Sequence, residues 1–326
     1  MASITVVGSV NRDVVLQVSD LPRPGETVHA VGSSEGMGGK GANQAVAAAR
    51  LGSDVRLVAK VGDDARDILA SLAKDGVNTG WVLTSDSSRT GMALITVDEP
   101  GENTIVLDGG ANQELTVAEL PEHLGSAGDV LMVQGEIPHE ATAAAIIRAA
   151  AQGATVILNP APVHAFDREV LDHVDVLVPN LGELCALLDV PMPTTPEETE
   201  RLVATHPLPT KALVVTLGAD GVIVRDEHGT THIPARRVTA VDTVGAGDTF
   251  CGALADSLVR GLPLRAAAER AVAAAAIAVT GLGAQKAMPT AEQLALFTQT
   301  PVPVMRSDRL DGPHQSSPPV VAAIPQ

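Results

Sequence analysis

The chain has 326 residues, of which 45% are hydrophobic but only 1% aromatic, with no tyrosine, and its formal net charge is -17. That length suits one large α/β core with additions, and an interior so short of rings must be filled by Ala, Val, Leu and Ile, the mix of a parallel sheet buried under helices. The acidic balance, with no stripe of Lys and Arg, argues against a nucleic-acid surface. A small phosphate ligand stays open, because helix-start N–H groups and bound cations hold phosphates without net positive charge.

In chain order, residues 4–10 form an apolar run that is too short for a membrane span, lacks a basic leader and meets Asn11, Arg12 and Asp13 at once. It predicts the first strand. Further buried strands are predicted at 55–59, 130–133, 155–158, 176–178 and 213–217, with helical spacing at 43–51, 64–74, 140–151 and 181–188 between them. Alternating β and α units imply a mostly parallel sheet with right-handed crossovers and helices on both faces.

Residues 14–31 and 91–107 break that rhythm with period-two alternation and hairpin turns at Pro24-Gly25 and at Pro100 to Asn103. As insertions at about 12–36 and 88–108 they predict a small second sheet over the carboxyl ends of the main strands, the edge where such folds bind ligands. Beyond Val244 the chain is rich in helix formers at 246–259, 264–280 and 291–297. One domain is expected over 1–298, with a Pro/Ser-rich, disordered tail at 299–326 and no internal repeat. Cys185 and Cys251 lack metal-ligand spacing and lie in apolar helical patterns, which predicts buried thiols in a reducing cytoplasm.

Three polar patterns carry chemistry. The turn from Asp242 to Phe250 opens a helix with small residues, so the N–H groups of Gly245, Ala246, Gly247 and Asp248 have room to surround one anion. A carboxylate there competes with the anion unless it takes a proton from an incoming hydroxyl; by spacing alone, Asp248 serves equally as a helix cap. The run from Gly36 to Val46 differs from a Walker A loop, because Lys40 is followed by Gly41 instead of Ser or Thr. Its glycine-exposed backbone, with Gly39, Lys40 and Asn43, suits a polyhydroxylated ligand, or is a plain strand-to-helix turn with a solvated lysine. Asn11 and Asp13 share one face of extended chain and so are placed to grip adjacent hydroxyls, or form an Asx turn. Glu136 follows the strand at 130–133 and falls on the same sheet edge.

With these residues, the chain resembles the PfkB carbohydrate-kinase family, and its ribokinase branch in particular, over roughly residues 3–297. The motifs that carry the likeness are Gly38 to Ala47, Asn159-Pro-Ala-Pro162, Pro179-Asn180 with Glu183, Thr216-Leu-Gly218 with Gly221, and Asp242 to Phe250. The resemblance implies a ribokinase-like fold whose inserted strands form a lid and a homodimer contact. It implies a sugar site of Asn11, Asp13, Gly39, Lys40, Asn43 and Glu136, with Asp248 as base, and transfer of the ATP γ-phosphoryl group to a primary hydroxyl, most simply O5 of ribose. Asn180, Thr216, Gly218, Gly221 and Gly247 would contact ATP, and Glu183 would organise Mg2+ through water. A K+ site would use Asp242, the carbonyls of Val244 and Ala278, and backbone near Gly281 and Gly283. Ala287 stands where such enzymes commonly place Ser, which removes one K+ ligand, and Val272 stands where a His lies near adenine.

Rival readings are a kinase of the same family for another sugar or a nucleoside, and a sugar sensor without transfer. Scarcity of rings, only Phe166, Phe250, Phe297 and Trp81, tells against a purine site, and retention of Asp248 and Glu183 tells against a mere binder. A dinucleotide oxidoreductase lacks its glycine fingerprint after the first strand.

Overall fold

A computed structural model describes residues 2–163 and 168–299. The strands are β1 Ile4–Val7, β2 Asn11–Gln17, β3 Gly32–Gly38, β4 Val55–Val61, β5 Val77–Thr84, β6 Gly91–Val97 and β7 Asn103–Asp108. They continue as β8 Val130–Val133, β9 Thr155–Leu158, β10 Val176–Leu177, β11 Ala212–Thr216, β12 Val222–Asp226 and β13 Gly229–Ile233. The helices are α1 Lys40–Arg50, α2 Arg66–Lys74, α3 His139–Ala151, α4 Arg168–Leu171, α5 Leu181–Leu188, α6 Pro196–Thr205, α7 Ala246–Val259, α8 Leu264–Ala278 and α9 Ala291–Gln299.

Nine strands form the main sheet in the order β13-β12-β11-β10-β9-β8-β1-β4-β5. Pairing is parallel from β11 to β5 and antiparallel only at β11–β12 and β12–β13. Side chains alternate across each strand, and here both faces are apolar. Ile4, Val6 and Met132 lie in one core with residues of α1, α2, α7 and α8, whereas Val7, Leu131 and Val133 lie in the other with α3 to α6. Phe250 is the largest fully buried side chain, and the surrounding Ala-rich helices fill the space that rings occupy elsewhere.

The inserted strands pair as β3-β2-β6-β7, a separate four-stranded sheet. The expected hairpin over 14–31 is corrected: β2 stops at Gln17 and β3 begins at Gly32, so Pro24-Gly25 lies in a long connection instead of a tight turn. Prolines at 22 and 24 withhold the amide donors that a ladder across 18–31 requires. The edge strands β13 and β5, strand β12 between β13 and β11, and helix α6 are additions to the predicted set. Of the expected tail, residues 300–326 lie outside the described residues.

Candidate active site

The site gathers on the carboxyl edge of the main sheet, where β1 leads through Gly8 and Ser9 into the small sheet and β8 is followed by Gln134 and Glu136. Helix α1 starts there, and its close fit explains the glycines. A Cβ on Gly41 would come within 2.6 Å of the backbone of Gly8 and Ser9, and Gly39, at φ 88, lies against the backbone of Ser9 to Asn11. Ser9 donates its hydroxyl to Glu136 Oε2, and that same oxygen accepts from the Lys40 amide at 3.0 Å. Glu136 therefore caps α1 through one oxygen, a favourable place for a carboxylate, while it joins the sugar-side cluster.

Asp248 sits in the first turn of α7 and is 8% exposed. Its Oδ2 accepts from Asn43 Nδ2 at 2.9 Å and its Oδ1 from Gln44 Nε2 at 3.1 Å. The two neighbours on α1 thus hold the two oxygens of one carboxylate. Asp13 completes the cluster: burial first, then the charges of Glu136 and Asp248, push its carboxyl up to about 7. A Cβ at Gly38 would fall 2.2 Å from its oxygens, so this glycine makes room for the acid. Burial pulls the Lys40 ammonium down, but the charges of Asp248, Glu136 and Glu183 outweigh it and leave its pKa above the ordinary lysine value. One cation thus stands in the field of three carboxylates, those of Asp248, Glu136 and Glu183.

Asn11 is placed by a residue that sequence reasoning does not select. Asn112, 1% exposed, donates to Asn11 Oδ1 at 2.7 Å and clamps Val10 through both its amide and its carbonyl, at 2.9 and 3.1 Å. Its partners lie about a hundred positions away in the chain, and only the short Gly109-Gly110 turn before it signals a special geometry. Asn11, Asn112, Gln113 and Glu136 line a cavity of about 350 Å³ that also reaches Leu107 of β7 and His139 of α3.

The other end of the cleft carries the predicted nucleotide residues. Asn180 and Glu183 form a reciprocal cap on α5, with Asn180 N–H donating to Glu183 at 2.8 Å and Glu183 N–H to Asn180 Oδ1 at 2.8 Å. Burial, reinforced by Asp248 but opposed by the Asn180 amide and Lys40, raises the Glu183 pKa above the ordinary value. Thr216 bridges to Asn180 beside it, and Gly218 and Gly221, at φ 62 and 90, turn the chain from β11 into β12.

At the start of α7 one of the four expected donors is already engaged: the Ala246 amide donates to the Thr243 carbonyl at 3.2 Å. Gly245, at φ 76, lies against Ala284, whereas nothing stands within 4 Å of where a Gly247 Cβ would be. Asp242 ties the two flanking loops together, accepting from Val244 N–H at 3.0 Å and Gly283 N–H at 2.8 Å. Ala278 lends its carbonyl to the Gly281 amide at 3.2 Å, and Gly281 lies against Ala287. Val272 is 3% exposed in the core, so it packs against protein instead of facing a ligand.

Residues 1–291 match the model of the pfkB family carbohydrate kinases. A ribokinase of Schizosaccharomyces pombe is 39% identical over 305 residues, covering 89% of this chain and 96% of that protein. A deoxyribokinase of Salmonella typhi is 37% identical over 302 residues, covering 89% and 96%. The structure of Arabidopsis thaliana ribokinase complexed with ribose and ATP superposes with a TM-score of 0.81 at 31% identity, covering 92% of this chain and all of that one. Fold, ordered motifs and full-length likeness agree, and the chain belongs to the pfkB family of carbohydrate kinases.

Proposed function

We propose that this protein is an ATP-dependent kinase that transfers the γ-phosphoryl group to the primary hydroxyl of ribose, with Asp248 as general base. The observation that carries the reading is the placement of Asp248: a nearly buried carboxylate at a helix N-terminus, both oxygens held by amide donors, beside the polar cluster of Asn11, Asp13 and Glu136. Asn11 and Asp13 would bind adjacent sugar hydroxyls, with Gly39, Lys40, Asn43 and the remaining oxygen of Glu136 around them. That leaves one hydroxyl directed at Asp248, which takes its proton as the oxygen attacks phosphorus. Charge on the transferring group would meet the Gly247 and Asp248 amides, with Gly245 and Ala246 shaping the turn, and Lys40 nearby. Closure of the four-stranded sheet over the sugar would exclude water and limit ATP hydrolysis.

Asn180, Thr216, Gly218, Gly221 and Gly247 would line the nucleotide. Among the described residues no cluster of three or more His, Cys, Asp or Glu is suited to hold a metal. Mg2+, which keeps several waters and binds chiefly through phosphates, would have Glu183 as an outer partner. When bound, it would neutralise phosphate charge. A K+ ion would rest on Asp242 and the carbonyls of Val244 and Ala278, near Gly281 and Gly283. The exposed Ile105, Val106 and Leu107 of β7 suit a homodimer through the lid. Two buried free cysteines fit the cytoplasm, and among the described residues no helix is long and apolar enough to cross a membrane.

The test is ADP release from Mg-ATP with ribose, 2-deoxyribose, fructose, 2-keto-3-deoxygluconate and adenosine, with and without K+. Preference for ribose is expected. The likeness to a deoxyribokinase makes 2-deoxyribose the second reading, and preference for it would keep the base and replace the substrate. Binding of ribose without any ADP release would contradict the kinase reading.

A further inference from the structure

Behind the sugar-side cluster lies a row of buried amides that binding alone does not explain. Gln285, in the loop after α8 and 6% exposed, donates from Nε2 to Asn43 Oδ1 at 3.0 Å; Asn43 in turn donates to Asp248. A carboxylate only accepts, so Asn43 must turn its NH2 toward Asp248, which leaves its carbonyl oxygen in need of a donor. Gln285 supplies that donor. Its backbone is pinned from outside, since Arg50 donates to the Gln285 and Met288 carbonyls and pairs with Asp75 at 2.8 Å. Two residues upstream, Gly283 is tied to Asp242. Gln285 is thus fixed on both sides before it reaches Asn43.

The position carries a cost. Gln285 Oε1 is buried with no hydrogen-bond partner among the described residues, a state that destabilises a fold. An apolar side chain of equal length removes that unpaired oxygen but leaves Asn43 Oδ1 without its donor, so the two penalties offset and stability alone does not select glutamine here.

We infer that Gln285 is a positioning residue for phosphoryl transfer: through Asn43 it holds the Asp248 carboxylate in the orientation that receives the sugar proton. Gln44 holds the other oxygen directly and is itself anchored, accepting from Gln134 Nε2 at 2.7 Å and donating to Asn159 at 3.1 Å. The two arms reach Asp248 from different sides, one from β8 and β9, the other from the loop after α8. The inference rests on the proposed role of Asp248 as base.

The experiment measures kcat, the KM for ATP and the melting temperature of the full chain with ribose for wild type, Gln285→Met, Gln285→Leu, Asp248→Ala and Gln285→Met with Asp248→Ala. Gln285→Met is expected to lower kcat by about tenfold, with the KM for ATP within about twofold of wild type. Its melting temperature should stay near that of wild type, because the unpaired oxygen removed from Gln285 is offset by the one created on Asn43. In the Asp248→Ala background the same change should cost nothing further, because a residue that acts only through Asp248 falls silent once Asp248 is gone. Wild-type kcat in Gln285→Met beside a collapsed Asp248→Ala overturns the inference and leaves the base reading intact. So does an equal tenfold loss in both backgrounds, or a marked fall in melting temperature in both Gln285→Met and Gln285→Leu, since either shows a merely structural role. Near-normal turnover in Asp248→Ala removes the base reading and the inference with it.

Discussion

On the sugar side of the cleft, Asn11, Asn43, Glu136 and Asp248 each hydrogen-bond to a different segment of the chain, and most are buried. On the nucleotide side the loops are open: Val241 is 57% exposed, Val244 46% and Leu282 72%. On the function proposed above, the contrast would place the two costs of binding in different halves: sugar would meet groups already oriented by the fold, so little ordering would remain when it binds, whereas loops exposed to this degree are the segments a nucleotide would order.

Four substitutions probe that contrast. Asp248→Asn strikes the most constrained group, and it should lower kcat by about 100-fold or more while sugar affinity stays near normal. Steady-state kinetics with calorimetric ribose binding checks this, and near-normal turnover would end the base assignment. Asp13→Ala should raise the sugar KM by about 10- to 100-fold, the value of hydrogen bonds to a charged group, with less effect on kcat. An unchanged KM would remove Asp13 from the sugar site.

Asp13 also predicts a pH effect on the ligand-free protein. Its folded carboxyl titrates at about 7 against the ordinary aspartate value of 3.8, so between these pH values the native state holds a proton that the unfolded chain has lost. Stability from this group is full below about pH 4, falls as pH rises toward 7 and is flat above. Asp13→Asn should flatten that decline and raise the melting temperature at pH 8 by a few degrees, as a thermal melt series over pH will show. The smallest effect is expected on the open side: Ala287→Ser adds one neutral oxygen beside Gly281, and should strengthen activation by K+ by less than about threefold. No change in the K+ dependence would place the cation elsewhere.

The same division governs what the sequence revealed. Strands β1, β8 and β9 are continuous apolar runs because both faces are buried, and their runs alone located them. Strand β5 is half-exposed and contains Gly80, and β12 ends in Arg225 and Asp226, so neither shows a clean period. The place of Asp248 in the first turn of α7 was legible because the glycine turn before it marks the helix start. Asn112 and Gln285 were not, since each is a lone amide whose partners lie 102 and 242 positions away, and apart from the Gly109-Gly110 turn before Asn112 nothing local distinguishes them from surface residues. Packing creates their roles.

The most direct measurement of the central claim is the phosphorus-31 spectrum, with proton coupling, of the product formed from Mg-ATP and ribose. The account predicts one sugar phosphate whose phosphorus couples to the two protons of a CH2 group, which identifies the primary hydroxyl as the one Asp248 deprotonates. Coupling to a single proton, or the absence of any sugar phosphate, would contradict it.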